Sequence, residues 1–481
     1  MFSRKGNKYL ALWWNGIKSF PETTSIHGFR FIGDSKRHLI ERFLWLFFVC
    51  LSWYCSSLLI AAQYNAYINN PISFVVETTY TNWTTKFPSI VVCETESYAS
   101  IEEISNRLWG KDHDFNIEEV LKELSYYKGA AYYTTEFCNI EDPLPECFQH
   151  NITHYVNLVR GDCNSIISFC TWNGQPFECC SYFRPMDTEL GICYAINSIQ
   201  GRRPPKLELV NNRATGPGTM TLKVLLPSKV YVLNEEEVPS VTTPESDVVN
   251  VKPENYYRRL ISIKDIQNDA GARLISPVKR KCRYTDENNI EVYPYYSYTA
   301  CTVQCRKDAQ LRLCNCTNFY MPNVEEHLKC NMTGVICLYN NLNTLSVLKA
   351  RWSSRTGLYC DCLPSCTEAE ISTVKDFESD KYNASVAIEL AFLPTERYRR
   401  NVVRGALDLV VSTGGTGGLF LGTTILSFVE LIYIILIRPF CNIYIQRYKD
   451  PWHEKYGRKL EDNKFIQLRL KRESLKLQTF T

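Results

Sequence analysis

Residues 409–437 run LVVSTGGTGGLFLGTTILSFVELIYIILI, and the first half of that stretch has the wrong composition for a plain membrane anchor. An anchor helix needs about 20 apolar residues and little else. Here glycine stands at 414, 415, 417, 418 and 422. Thr413, Thr416, Thr423, Thr424 and Ser427 accompany the glycines, and Glu430 lies deep in the apolar half. Gly414, Gly418 and Gly422 are spaced i, i+4, i+8, so on a helix they share a face that another backbone can approach closely. Such faces are most often packing seams. The hydroxyls and the carboxylate shift the reading, because ionisable residues in a span face a bundle interior or a water-filled cavity. Backbone breaks at membrane depth persist under the same condition. The segment therefore reads as part of a pore. A phosphate-loop reading fails, since Phe420 stands where a third glycine belongs after Gly415-x-Gly417 and no phosphate-binding lysine follows.

One other long apolar run exists, FLWLFFVCLSWYCSSLLIAA at 43–62. The run TMTLKVLLPSKVYVL at 219–233 carries Lys and Pro and reads as strands. Near the N-terminus LALWW is too short for a signal-peptide core, so the 43–62 segment is expected to act as an uncleaved signal-anchor. Residues 1–42 carry a net charge of +5 and residues 438–481 a net +6, against +3 for the whole chain, which leaves −8 between them. Basic flanks stay cytoplasmic. This predicts both termini inside (1–42 and 438–481), spans at 43–62 and 409–437, and an extracellular domain at 63–408. The basic tail reads as solvated or lipid-apposed, with no nucleic-acid partner.

The chain has 21 cysteines, of which 18 lie between the two apolar segments, the pattern of an oxidising compartment. Cys50 and Cys55 fall inside the first segment and Cys441 just beyond the second. Five sequons fall in the same loop, at Asn82, Asn151, Asn315, Asn331 and Asn383. Cys316 occupies the middle of the Asn315 sequon and is expected to be bonded, so glycosylation is expected at the other four. From Cys282 onward the cysteines form two dense groups, at 301–316 and 360–366. The stretches 304–314 and 341–352 have helical spacing, and two adjacent helices would bring these groups face to face as rungs of a ladder. Zinc is disfavoured because no matching histidines accompany the thiols. The spacing leaves the pairing open. Glu235, Glu236 and Glu237 read as a solvated acidic turn, and His113, His150 and His154 as scattered surface histidines, though either set could sense protons.

Taken in order, several motifs resemble the degenerin/epithelial sodium channel family, which includes the acid-sensing channels, and are most similar to its arthropod pickpocket-type branch. They are Ser25-Ile26-His27-Gly28, then Phe87-Pro88-Ser89-Ile90-Val91-Val92-Cys93, then Gly191-Ile192-Cys193-Tyr194. The two cysteine groups follow, and GGTGGLFLGTTILSFVELIY at 414–433 closes the series. The resemblance implies an α+β membrane protein, a trimeric Na⁺-favouring and amiloride-sensitive channel of the plasma membrane. Each subunit would have two transmembrane helices and a large hand-shaped, disulfide-rich extracellular domain. Implied partners are sister subunits or further copies of this chain, the bilayer, and an extracellular stimulus of unstated kind. No cofactor or metal is implied beyond permeant Na⁺, and no enzymatic activity.

Carried over by motif, the resemblance places a selectivity filter at Gly422, Thr423 and Thr424, with Thr424 where serine is usual. It places blocker binding at Gly418, a gating motif at His27 and Gly28, and pore or gate positions at Val411, Ser412, Gly414, Gly415 and Glu430. Ser412 stands where an acidic or amide residue is usual, and Val411 where a small residue is. The tryptophan expected shortly before the first ladder cysteine is absent from Val278-Lys279-Arg280-Lys281-Cys282. The implied bridges are Cys93–Cys193, Cys170–Cys180, Cys282–Cys366, Cys301–Cys362, Cys305–Cys360, Cys314–Cys337 and Cys316–Cys330. Cys138, Cys147, Cys163 and Cys179 are left unassigned, Cys179 competing with Cys180 for Cys170.

A two-span scavenger or adhesion receptor would share the topology, sequons and bridges. It has no use for five glycines and a carboxylate in one span. An ectoenzyme is disfavoured because neither HExxH nor GxSxG occurs and no catalytic Cys–His arrangement stands out.

Overall fold

The computed structural model describes residues 24–34, 36–78, 82–139, 147, 151–201, 207–380, 385–438, 440–441 and 444. His150, Asn383 and the tail from 445 onward lie outside the described residues. The chain divides into two compact units, one of residues 72–402 and one built from the segments on either side of it.

Within residues 72–402 the decisive element is the strand Ser89–Glu94, which is buried along its whole length. Successive side chains of a strand point to opposite faces, and here both faces are covered. Ile90 and Val92 enter a core with Ile167, Leu222, Val230, Ile261 and Ile388. Val91 and Cys93 enter another with Val292, Tyr293, Ala300 and Val303. Double burial explains why this sequence is continuously apolar instead of alternating.

The strand sits in the middle of a five-stranded sheet, ordered Val248–Val251, Ser228–Leu233, Ser89–Glu94, Gly191–Ile196, Arg184–Thr188. The second sheet has eight strands and is organised on the 13-residue strand Tyr256–Asn268. That strand runs parallel to Ser385–Leu390 and Arg397–Val402, and antiparallel to Glu370–Ser379. The run at 219–233 forms two strands, Thr219–Val224 and Ser228–Leu233, parted at Pro227. A separate helical core uses Ile117, Val120, Leu121 and Leu124 of the helix Phe115–Ser125, the i, i+3, i+4, i+7 spacing of one buried helix face.

The helix Tyr98–Trp109 is capped by Ser97, Phe115–Ser125 by Asp114, and Met332–Asn340 by Asn331, whose side chain accepts from the Gly334 amide. Asn82, Asn151 and Asn331 are all exposed.

Nine disulfides occur, and six of the seven implied pairings are among them: Cys93–Cys193, Cys282–Cys366, Cys301–Cys362, Cys305–Cys360, Cys314–Cys337 and Cys316–Cys330. The Cys170–Cys180 pairing is corrected. Cys170 bonds Cys179, and Cys163 bonds Cys180. Cys179 and Cys180 open a one-turn helix, Cys179–Tyr182, and Cys179 is the one buried beneath the strand Ile167–Trp172 that carries Cys170. Cys138 bonds Cys147.

The ladder also differs from the two-helix expectation. Its first helix is Tyr298–Cys314, but 341–352 supplies only the single turn Leu342–Leu345 before the chain folds into a loop bridged at Leu348 and Leu358. Cys301 and Cys305 are therefore bridged to the extended chain at 360–362.

The acidic run is not the expected solvated turn. Glu235 pairs with Lys86 at 2.7 Å, but Glu236 and Glu237 are 2% and 4% exposed. Glu236 accepts from Ser365 Oγ and Thr367 Oγ1, both at 2.9 Å. Glu237 accepts from the Tyr298 and Thr299 amides at 3.2 and 3.1 Å, and from Thr299 Oγ1. These donors open the helix Tyr298–Cys314, so the run anchors the first rung-bearing helix.

Burial, reinforced by Glu368 and Glu236, pushes the Glu237 carboxyl up to about 8 even against its donors. A carboxyl whose folded pKa is raised binds its proton more tightly in the native state. Stability from this group is complete below its ordinary value and is lost as pH rises towards 8. The thermal midpoint of the purified full chain should fall between about pH 5 and pH 8.5, by up to about 1.4 kcal/mol of stability per unit. Glu237→Gln keeps an acceptor for the helix amides and should flatten that slope, and an equal slope in both proteins would exclude Glu237 as its source. Mass spectrometry of non-reduced peptides should recover Cys170 joined to Cys179, and a Cys170–Cys180 peptide would overturn the revised pairing.

The other unit holds both apolar segments. The first forms one helix, Leu39–Asn69, of 31 residues. At 1.5 Å per residue it is about 46 Å long, more than the roughly 30 Å of hydrocarbon in a bilayer. The second is broken. Helix Ala406–Leu421 and helical stretch Ile425–Ile437 meet at a 72° bend. The C-terminal end of the first segment and the N-terminal end of the second are tied together, the Val403 amide and Arg404 Nη1 donating to Pro71 O and Asn70 O, each at 3.0 Å.

Candidate functional site

The bend falls at Gly422, Thr423 and Thr424, the residues given as the filter. Gly422 has φ +62°, in the left-handed region that favours glycine, and it caps the helix Ala406–Leu421. Thr424 then opens the next helix with a reciprocal cap. Its Oγ1 accepts from the Ser427 amide at 3.3 Å, and its own amide donates to Ser427 Oγ at 3.2 Å.

A helix that stops in an apolar segment leaves carbonyls without partners, and four of them are satisfied here. Gly418 O accepts from the Gly422 amide at 3.0 Å and Gly417 O from the Thr423 amide at 3.3 Å. Phe420 O accepts from Ser52 Oγ of the first segment at 2.5 Å. Leu421 O accepts from the His27 amide at 3.1 Å.

The last bond brings His27, given with Gly28 as the gating motif, to the residues given as the filter. The His27 ring fills the space where a Gly422 side chain would begin. Gly28 turns the chain with φ +87°, and the Val49 side chain fills the place of its absent Cβ. Phe31 then stacks on Trp45 with ring centroids 4.4 Å apart, and Arg42 Nε donates to Ile32 O at 2.8 Å. On the far side of the break, Ser25 donates to Glu430 Oε2 from its amide at 3.2 Å and from Oγ at 2.5 Å. Its Oγ also lies 3.1 Å from Ser427 Oγ. The N-terminal chain therefore bonds both halves of the broken segment.

Above the break, Gln63 Nε2 donates to Thr416 Oγ1 at 3.0 Å, and Thr416 Oγ1 donates to Ser412 O at 2.9 Å. Gly414 and Gly415 are exposed, and a Cβ at either would meet nothing within 4 Å. Gly418 is exposed as well, with only Thr423 O within that distance of such an atom. Val411 is 65% exposed. At Gly414, Gly415 and Gly418 the glycine face is thus left open by the chain's own side chains, whereas the His27 ring covers it at Gly422.

The structure brings together His27, Gly28, Gly422, Thr423, Thr424 and Glu430. Val411, Ser412, Gly414, Gly415 and Gly418 lie on the helix before the break. Ser52 and Gln63 escape the sequence reading, and Ser25 and Ser427, though named there, are given no partner. A serine or glutamine in an otherwise apolar helix was the only signal, and it names no partner. His113 is held by Gly110 O at 2.7 Å and Glu118 at 3.5 Å, its side chain 7% exposed. Among the described residues no cluster of His, Cys, Asp and Glu could hold a metal.

The profile of the family described as "Amiloride-sensitive sodium channel" matches residues 20–434. The chain belongs to that family. Its members are ion channels and not enzymes, and this chain is a cation-channel subunit. The chain is 23% identical to Sodium channel protein Nach of Drosophila ananassae, over 87% of its own length and 86% of the relative's. It is 28% identical to Pickpocket protein 28 of Drosophila melanogaster over 49% and 42%. Identity to Acid-sensing ion channel 2 of Homo sapiens is 22%, over 87% and 85%.

Gly422 carries two constraints at once, a left-handed backbone that costs other residues roughly 1–2 kcal/mol and contact with the His27 ring. Gly422→Ala should abolish current while surface expression, measured by biotinylation, stays within about twofold of wild type. His27→Ala in the same chain restores space and should recover part of the current. Unaltered current and selectivity in Gly422→Ala would remove these residues from the pathway.

Proposed function

We propose that this chain is a subunit of an amiloride-sensitive, Na⁺-favouring channel of the plasma membrane, opened by an extracellular chemical, mechanical or proton stimulus. Both termini are cytoplasmic and residues 72–402 face outward. The observation that carries this reading is the bonded break at Gly422–Thr424, flanked by a helix whose glycine face is open. Such a face suits close approach by neighbouring copies, and three chains, identical or sister subunits, would bring Gly422, Thr423 and Thr424 around one axis. Small residues and hydroxyls there suit an ion shedding part of its water. Gly418, one turn above, offers a blocker site. Asn82, Asn151 and Asn331, together with Asn383, would carry glycans.

Val411 is bulky where the resemblance has a small residue. Helices converging there in a closed pore must make room for it, and overpacking of this kind costs about 1–3 kcal/mol, enough to shift a closed–open balance. The chain expressed alone, and together with sister subunits, should give an amiloride-blocked Na⁺ current. A large residue at Gly418 should weaken the block by about tenfold or more. Val411→Ala should lower resting current if the valine props the pore open, and leave it unchanged if neighbouring helices or smaller residues of partner subunits have made room. Absence of amiloride-sensitive current under every stimulus and subunit combination would defeat the proposal.

A further inference from the structure

Among the described residues of 72–402, the most exposed aliphatic side chains are Leu274 at 92% and Val278 at 79%. Both belong to one short stretch, AGARLISPVKRK at 270–281, and two apolar side chains so close together and so fully uncovered mark a contact surface. The stretch is not slack. Ala272, Arg280 and Cys282 are buried at its feet. The Ala272 amide donates to Asp269 O at 2.9 Å and the Ile275 amide to Ala272 O at 3.3 Å. The Lys279 and Arg280 amides both donate to Ser276 O at 3.0 Å, and Pro277 opens that second turn with its φ already set. Arg280 Nη1 joins the two turns by donating to Ile275 O at 2.7 Å. Leu274 and Val278 therefore stand outward on a bonded frame, and little ordering remains to be lost on contact.

Place and charge name the partner. The Asp269 amide donates to Arg400 O at 2.9 Å, and Val402 Cγ2 lies 3.4 Å from where a Cβ on Gly271 would stand. Val402 pairs with Ile72, so the stretch is rooted at the corner where the chain enters and leaves this unit. Asn69, the last residue of the first helix, is three residues from Ile72 and so at most about 11 Å away. That helix is about as long as a bilayer with its headgroup regions is thick, about 40–45 Å, so its end reaches headgroup level. The stretch 270–281 carries four cations and no acid. Of these, Lys279 and Lys281 are exposed, and Arg273 is exposed but held by Asp286 at 2.7 Å. Aliphatic tips beside long cationic side chains suit a lipid interface, where the tips enter and the ammonium groups reach back to phosphate.

We propose that this stretch docks on the lipid surface, with Leu274 and Val278 in the interface and Lys279 and Lys281 on lipid phosphate. The inference rests on reading the two apolar segments as membrane spans with residues 72–402 outside, and adds a lipid contact made by that unit itself. The test uses the full chain in phosphatidylcholine nanodiscs, carrying Cys50→Ser, Cys55→Ser and Cys441→Ser so that an added cysteine is the one free thiol. Leu274→Cys or Val278→Cys then bears an environment-sensitive fluorophore. Lipid with a nitroxide on its headgroup should quench both labels about twofold or more. A label at Glu254→Cys should stay unquenched. Glu254 is exposed just before the strand Tyr256–Asn268, whose twelve steps put its start about 40 Å from Asn268.

Leu274→Asp exchanges one apolar tip for a carboxylate and should remove about half or more of the quenching at Val278→Cys. A label at 274 or 278 that stays unquenched would overturn the proposal, and shielding of that label from aqueous iodide would show that a neighbouring protein surface covers the pair instead. Quenching unchanged by Leu274→Asp would overturn it as well, since it would report nearness without docking. A chain that keeps Cys50 alone, labelled there and probed with lipid bearing the nitroxide on its acyl chain, separates the two readings. No quenching at Cys50 removes the membrane span and the docking with it. Quenching at Cys50 without quenching at 274 and 278 removes the docking alone.

Discussion

A backbone carbonyl cannot be left unbonded in hydrocarbon, and the arrangement of both apolar segments follows from that rule. Breaking the second segment at Gly422 releases the last carbonyls of the helix Ala406–Leu421. Their partners come from three places: the residues just past the break, Ser52 of the first segment, and His27 of the N-terminal chain. The polar side chains in these segments are therefore in large part the consequence of one interruption. Ser52 sits within an apolar helix because Phe420 O needs a donor. Gly28 turns the chain so that the His27 amide can reach Leu421 O, and the absence of a side chain at Gly422 makes room for the ring that follows.

Residues 72–402 solve a different problem, how to hold many short elements rigid with limited apolar material. The strand Ser89–Glu94 is shared between two cores, so one element orders both the two-sheet layer and the layer containing the helix Tyr298–Cys314. That helix is then fixed at its start by Glu237 and along its length by Cys301, Cys305 and Cys314. A buried carboxylate at the root of a cross-linked helix is an electrostatic weakness accepted for geometry, since its donors offset only part of the cost of taking it from water.

Much of the membrane segment was legible because its signals are local. Glycine at five positions, hydroxyls beside them and a carboxylate in an apolar run are visible without knowing what lies opposite. The strands at 219–233 and the helix through Cys305 were legible for the same reason. What escaped depends on distant partners. The bonding of Ser25 to Glu430 joins residues 405 apart in sequence. Glu236 and Glu237 read as solvated because three adjacent acids usually are, and only the return of the chain at Ser365 and Thr367 buries the first of them. Adjacent Cys179 and Cys180 could not be told apart until the strand carrying Cys170 showed which one lies beneath it. The stretch at 341–352 had helical spacing, yet its tertiary surroundings allowed a single turn.

The bond between His27 and Leu421 has a consequence for the order in which the molecule can be made. The segment around Ser25 leaves the ribosome well before the groups that complete it, Leu421, Ser427 and Glu430, Glu430 lying 405 residues further along the chain. Through most of translation the segment around Ser25 has none of its final partners, and the folding of residues 72–402 with their nine bridges supplies none of them. A chain truncated before the second segment would hold a finished unit of residues 72–402 and an unfinished unit around the first apolar segment. Completion of that unit thus reports that synthesis has passed the second apolar segment.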